Sequence, residues 1–140
     1  MKRQKIKRGA SQTYDTPSLN ILPVSQLRGV YGKVNKIGGS VVFLNERYVN
    51  NIINGKDRNT LPHEFGHSLG LLHVDGADAW FLGLFGRSQY NDSYKQERNR
   101  YNVMFSGANS KYTDDYKSTD INPKQISIIL ENFRNNKVNR

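Results

Sequence analysis

Eleven consecutive residues carry the chemistry of this chain. From 63 to 73 they read His-Glu-Phe-Gly-His-Ser-Leu-Gly-Leu-Leu-His, and they hold every histidine in the sequence. Residues four apart share a helix face, so His63 and His67 can grip one ion. Glu64 stands beside them without being needed as a ligand. That is where a base must be to take a proton from a metal-bound water. His73 lies six residues past His67, and a continued helix would swing it roughly 240° away. It can return to the ion only where the helix stops and turns. Gly70 sits midway, and glycine tolerates the left-handed conformation that ends helices. Three neutral imidazoles with one position left to water form the donor set of a catalytic zinc ion. A structural zinc takes four protein ligands, and a chain with no cysteine and no fourth histidine has few to offer. The plain alternative is an ordinary amphipathic helix whose histidines are surface or satisfied core residues.

The elements that must position these residues are legible in part. Leu61 to Leu72 reads as the best helix, with Leu61, Phe65, Leu69 and Leu72 on the face opposite the imidazoles. Ser40 to Leu44 is the best strand signal, β-branched and aromatic residues directly after Gly-Gly. Leu19 to Val24, apolar with one proline, reads as an edge or terminal strand. Asn45 to Arg58 is polar and ambiguous, and Val74 to Arg100 is long and irregular. A second helix starts at Asn122-Pro123, a cap residue followed by proline at the first helical position. Ile126, Ile129, Leu130 and Phe133 recur along it at helical spacing. The tail Asn135 to Arg140 is expected to fray. These pieces make an α+β domain over 19–140, preceded by a basic, solvated arm over 1–18.

With 140 residues the chain is bounded to one domain with one core. Zero cysteines exclude disulfides, thiolate metal sites and cysteine nucleophiles. No apolar run approaches the ~20 residues that span a bilayer. The basic start MKRQKIKR resembles the first part of an export signal, but the polar stretch Gly9 to Ser18 follows in place of an apolar region. The chain therefore reads as an intracellular protein or as a domain whose export signal is absent. The net charge of +9 invites a nucleic-acid reading. Five of the positive charges sit in Lys2 to Arg8 with no nucleic-acid motif beside them, so general basicity that draws the protein to acidic partners is preferred.

HEFGHSLGLLH resembles the extended zinc motif of the metzincin metallopeptidases, HExxHxxGxxH, with wording closest to the matrixin branch. The resemblance implies that His63, His67 and His73 bind one catalytic zinc ion and that Glu64 is the general base. It also implies a methionine-bearing turn beneath the zinc, for which Asn102-Val103-Met104-Phe105 is the candidate; Met104 reads otherwise as a plain core methionine. The family's substrate-pairing strand at the upper rim of the cleft falls on Ser40, Val41 and Val42, whose main chain could pair with an extended peptide. Tyr112 and Tyr116 fall where the family walls its primary specificity pocket, or are surface tyrosines. The helix from Pro123 matches the family's closing helix. The chain departs from the matrixin pattern in three ways. Thirty residues separate His73 from Met104, Val74 follows the third histidine, and only about sixty residues precede the motif, so the upper half of the domain is shortened.

The resemblance thus implies a zinc endopeptidase, secreted or extracellular, acting on proteins or extended peptides; a monomer is expected, though the sequence does not fix the oligomeric state. The alternative is a zinc-holding remnant or binding module without efficient proteolysis. Calcium could be held by Asp75, Asp78 and Asp92, but these lack a regular ligand spacing, and solvated loop acids are preferred. Asp114, Asp115 and Asp120 are read the same way. The apolar stretch Trp80 to Phe85 is expected to pack into the lower half of the domain, or else to line a pocket or touch a membrane or partner.

Overall fold

The structure, a computed structural model, describes residues 18–25, 27–74, 101–106 and 119–140. Within them the chain is a small mixed α/β domain with three strands in one sheet and three helices. The strands are β1 (Asn20–Val24), β2 (Gly32–Val34) and β3 (Val41–Asn45). A 3₁₀ turn (Glu46–Tyr48) leads into the short α1 (Val49–Ile53), which resolves the ambiguous stretch after Asn45. The helices α2 (Thr60–Ser68) and α3 (Pro123–Arg134) follow. The basic arm, Trp80 to Phe85, and Asp75, Asp78, Asp92, Asp114 and Asp115 lie outside the described residues. No helix among the described residues is long and apolar enough to cross a membrane.

The sheet order is β1-β3-β2, with β1 parallel and β2 antiparallel to β3. The most apolar strand therefore takes the centre, and Pro23, which has no N–H to donate, sits on an edge strand. Val42 and Leu44 on β3 and Val34 on β2 form one buried cluster, against which Leu19, Val49, Ile52, Leu61 and Phe65 pack. Leu71, Val74, Val103 and Met104 form a second, joined by Leu72, Phe105, Ile128 and Ile129.

This division corrects the single apolar stripe expected on the metal helix. Leu61 and Phe65 face the sheet, but α2 ends at Ser68, so Leu69 and Leu72 leave the helical phase and Leu72 joins the second cluster. On α3 the expected apolar face is also displaced. Ile126, Leu130 and Phe133 are exposed. The inward stripe is Gln125, Ile128, Ile129 and Asn132, an i, i+3, i+4, i+7 row whose two ends are polar because each has an amide partner waiting for it.

The tail does not fray. Val138 is only 2% exposed, Lys137 N–H donates to the Asn132 carbonyl (2.8 Å), and Arg140 N–H donates to the Gly38 carbonyl (2.7 Å). Asn136 and Asn139 adopt left-handed backbone (φ 52° and 53°), which asparagine tolerates better than most residues and which lets the chain double back onto α2.

Candidate metal centre

Asp57 starts the metal helix. Its carboxylate accepts hydrogen bonds from Asn59 N–H (3.0 Å), Thr60 N–H (2.9 Å) and the Thr60 hydroxyl (2.6 Å). A negative group there satisfies orphan donors and complements the positive end of the helix dipole. At the other end, Gly70 sits at φ +88° and turns the chain out of the helix. The carbonyls that the helix leaves without partners are taken up from elsewhere in the chain. Gly38 N–H and Gly70 N–H both donate to the His67 carbonyl, Asn139 N–H to that of Ser68, and the Asn132 amide to that of Leu69.

This turn returns His73 to the helix. Its Nε2 lies 3.0 Å from His63 Nε2 and 3.1 Å from His67 Nε2. Four ligands set tetrahedrally about one zinc ion at ordinary Zn–N distances stand ~3.3 Å apart, so the two separations from His73 need open only by tenths of an ångström. The other ring nitrogens fix which atom faces the centre. His63 Nδ1 lies 2.7 Å from the Val103 carbonyl, and His67 Nδ1 lies 2.8 Å from that of Leu71. A carbonyl oxygen only accepts, so each Nδ1 carries the proton and each Nε2 presents a lone pair inward. Two inward lone pairs so close to a third imidazole are what a cation resolves, and backbone acceptors behind the rings are the usual support of metal-binding histidines. The three histidines can hold a metal ion between them.

Glu64 lies beside this cluster and is 6% exposed. Burial pushes its carboxyl up to about 7, against the opposing pull of the Val34 backbone N–H and, more weakly, of the neighbouring His73. Its niche depends on Gly32. A methyl group at that position would stand 2.9 Å from Glu64 Cγ and 3.0 Å from Thr60 Cγ2.

Met104 is fully buried behind the helix, with Gly66 against its sulfur. The turn that carries it is tightly held. Phe105 N–H donates to the Asn102 carbonyl (3.0 Å), Met104 N–H donates to Asn102 Oδ1 (2.9 Å), and Val74 N–H donates to the Met104 carbonyl (3.0 Å).

Ser40 precedes the central strand β3, and Val41 and Val42 open it. The Ser40 carbonyl accepts from Asn20 N–H, Val41 exchanges hydrogen bonds with Asn35, and Val42 is opposite Ile21 on one side and Val34 on the other. Their main chain has no free edge because β3 is the central strand. The edge strand beside Glu64 is β2. Tyr112 and Tyr116 lie outside the described residues. Asp120 is exposed and pairs through its backbone with Tyr101 and Val103.

Sequence reasoning passed over Asp57, Asn102, Gln125 and Asn132. Asp57 three residues ahead of Thr60 was a readable cap pattern, and Gln125 completes a capping box with Asn122. Nothing local in sequence marks Asn102 or Asn132. Fold and site together define a small mixed α/β domain with a three-histidine cluster able to hold a metal ion. Compared with protein-family models, with curated proteins and with solved structures, the chain has no match.

Proposed function

We propose that this protein is a zinc-dependent endopeptidase of the metzincin type. The observation that carries the reading is the convergence of three histidines, with His73 Nε2 3.0 Å and 3.1 Å from those of His63 and His67, which have Nδ1 committed to a backbone carbonyl, beside the carboxyl of Glu64. His63, His67 and His73 would hold the zinc, which when bound acidifies a water and polarises a carbonyl. Glu64 would serve as the general base, holding a proton and delivering it to the leaving amine. Burial supports that role, because a carboxyl that holds a proton near neutrality can both accept and release one. Met104, packed behind Gly66, is the floor of the site. The rim role passes from β3 to β2: Gly32 and Val34 lie on an edge strand facing Glu64, where an extended peptide could add a strand.

The test combines metal content with cleavage of an unfolded protein such as casein. The expected outcome is one zinc per chain and cleavage that a chelator stops and zinc restores. Glu64→Ala should keep zinc and lose turnover. Bound zinc without any cleavage would leave a metal-holding module, and absence of zinc would refute the site itself.

A further inference from the structure

We propose that Gln125, on the C-terminal helix, is a positioning residue for the metal ligand His63, acting through Asn102 and the Val103 carbonyl. The inference rests on the metal-site reading above. The two side chains form a closed amide pair: Asn102 Nδ2 donates to Gln125 Oε1 and Gln125 Nε2 donates to Asn102 Oδ1, both at 2.8 Å. Each oxygen accepts one more bond, Gln125 Oε1 from Asn122 N–H (2.8 Å) and Asn102 Oδ1 from Met104 N–H (2.9 Å). Gln125 is fully buried and Asn102 is 6% exposed, so neither amide has water to fall back on.

The consequence is geometric. The amide pair fixes the Asn102 side chain, and that side chain fixes the backbone of the turn at Met104. The turn aims the Val103 carbonyl at His63 Nδ1, 2.7 Å away. The same turn offers its Met104 carbonyl to Val74, the residue after His73. One amide on α3 therefore governs the tautomer and aim of one metal ligand and the seat of another. The His67 Nδ1 is held instead by the Leu71 carbonyl, in the turn that directly follows its own helix.

That difference supplies an internal control. In the metal-free protein at about pH 8, imidazole nitrogen shifts should place the proton on Nδ1 for both His63 and His67. Gln125→Met keeps length and apolar bulk but makes none of the three hydrogen bonds of the Gln125 side chain. It should release His63 into a tautomer mixture and leave His67 unchanged. Zinc affinity should fall 10- to 100-fold, the range seen when groups supporting metal ligands are removed. Where Gln125→Met does not fold, Gln125→Glu is the second variant. It keeps both accepted bonds, loses only the donated one, and should shift His63 in the same direction.

Leu44→Ala, which weakens the sheet-side cluster, should lower stability and leave both tautomers in place. Retention of the Nδ1 proton on His63 with zinc affinity within twofold of wild type would overturn the inference. Equal loss at His63 and His67 would do so as well, since it would mark general loosening. Should the wild type bind no zinc, the metal-site reading fails, and the tautomer comparison still decides the role of Gln125.

Discussion

Replacing Gly66 by alanine adds one methyl group to the metal helix at the point where it backs onto Met104. The new carbon would lie 2.2 Å from Met104 Sδ, 3.3 Å from its Cε and 3.6 Å from Leu71 Cδ1. Ordinary contact between such atoms is about 3.5–4.0 Å, so the sulfur must yield by more than an ångström. It cannot swing into solvent, because the Met104 side chain is fully buried. Overpacking of this kind costs about 1–3 kcal/mol, while alanine in place of a helical glycine returns about 1 kcal/mol. Gly66→Ala should thus destabilise the wild type by about 0–2 kcal/mol. In a Met104→Ala background, itself weakened by about 2–5 kcal/mol, the obstacle is gone and only the helical gain remains. There the same substitution should stabilise by about 1 kcal/mol. Urea denaturation of the four proteins reads the coupling directly, and the expected value is about 1–3 kcal/mol. A coupling below ~0.5 kcal/mol, the range of independent sites, would show that Gly66 and Met104 do not touch and would refute this account of the floor.

Other expectations follow from the same geometry. Asp57→Ala should cost about 1–2 kcal/mol in thermal melts by stripping the start of the metal helix, and Asp57→Asn should cost less; equal stability of wild type and Ala variant would contradict the capping role. In the metal-free protein Glu64 is raised from 4.5 to about 7, so its contribution to stability is complete below about pH 4.5 and is lost as pH rises through about 7. The stability of wild type relative to Glu64→Gln should therefore fall by about 3 kcal/mol over that window, and a flat difference between melting curves would count against the buried carboxyl. Gly70→Ala forces a side chain into φ +88° and against the Asn132 amide; it should weaken zinc binding by displacing His73, measured by competition with a chromophoric chelator. Zinc at a thousand times its dissociation constant should add about 4 kcal/mol to unfolding, and an unmoved melting temperature would argue that the folded chain holds none.

The histidine cluster was legible because its information is local: three histidines, a glutamate and a glycine within eleven residues, at offsets helical geometry interprets directly. The helix-stopping role of Gly70 followed from the same arithmetic, and the second helix start from Asn122-Pro123. Pairing order was not local. Ser40 to Leu44 reads as a strand, but only the competition between Asn20–Val24 and Gly32–Val34 for its two edges makes it central, with its main chain paired on both sides. Periodicity also misdirected the reading of α3. Ile126, Leu130 and Phe133 fit a core stripe, yet Gln125 and Asn132 face inward because Asn102 and the Leu69 carbonyl need them. A polar residue paired across a fold carries no mark in sequence that distinguishes it from a solvated one. Val138, one apolar residue in a polar tail, gave too little pattern to show that it is buried.

The support given by residues 132–140 has a temporal meaning as well as a spatial one. The nine-residue metal helix is shorter than the ~12–15 residues that hold together alone in water. Its last carbonyls are completed by groups such as Asn132, 63 positions away from Leu69. Closing so long a stretch is among the slower events of folding. An ion held by the three histidines would then be captured after the C-terminal helix docks, and its escape would be timed by excursions of that segment from its seat. The lifetime of such an ion would be a clock for motion of residues 132–140.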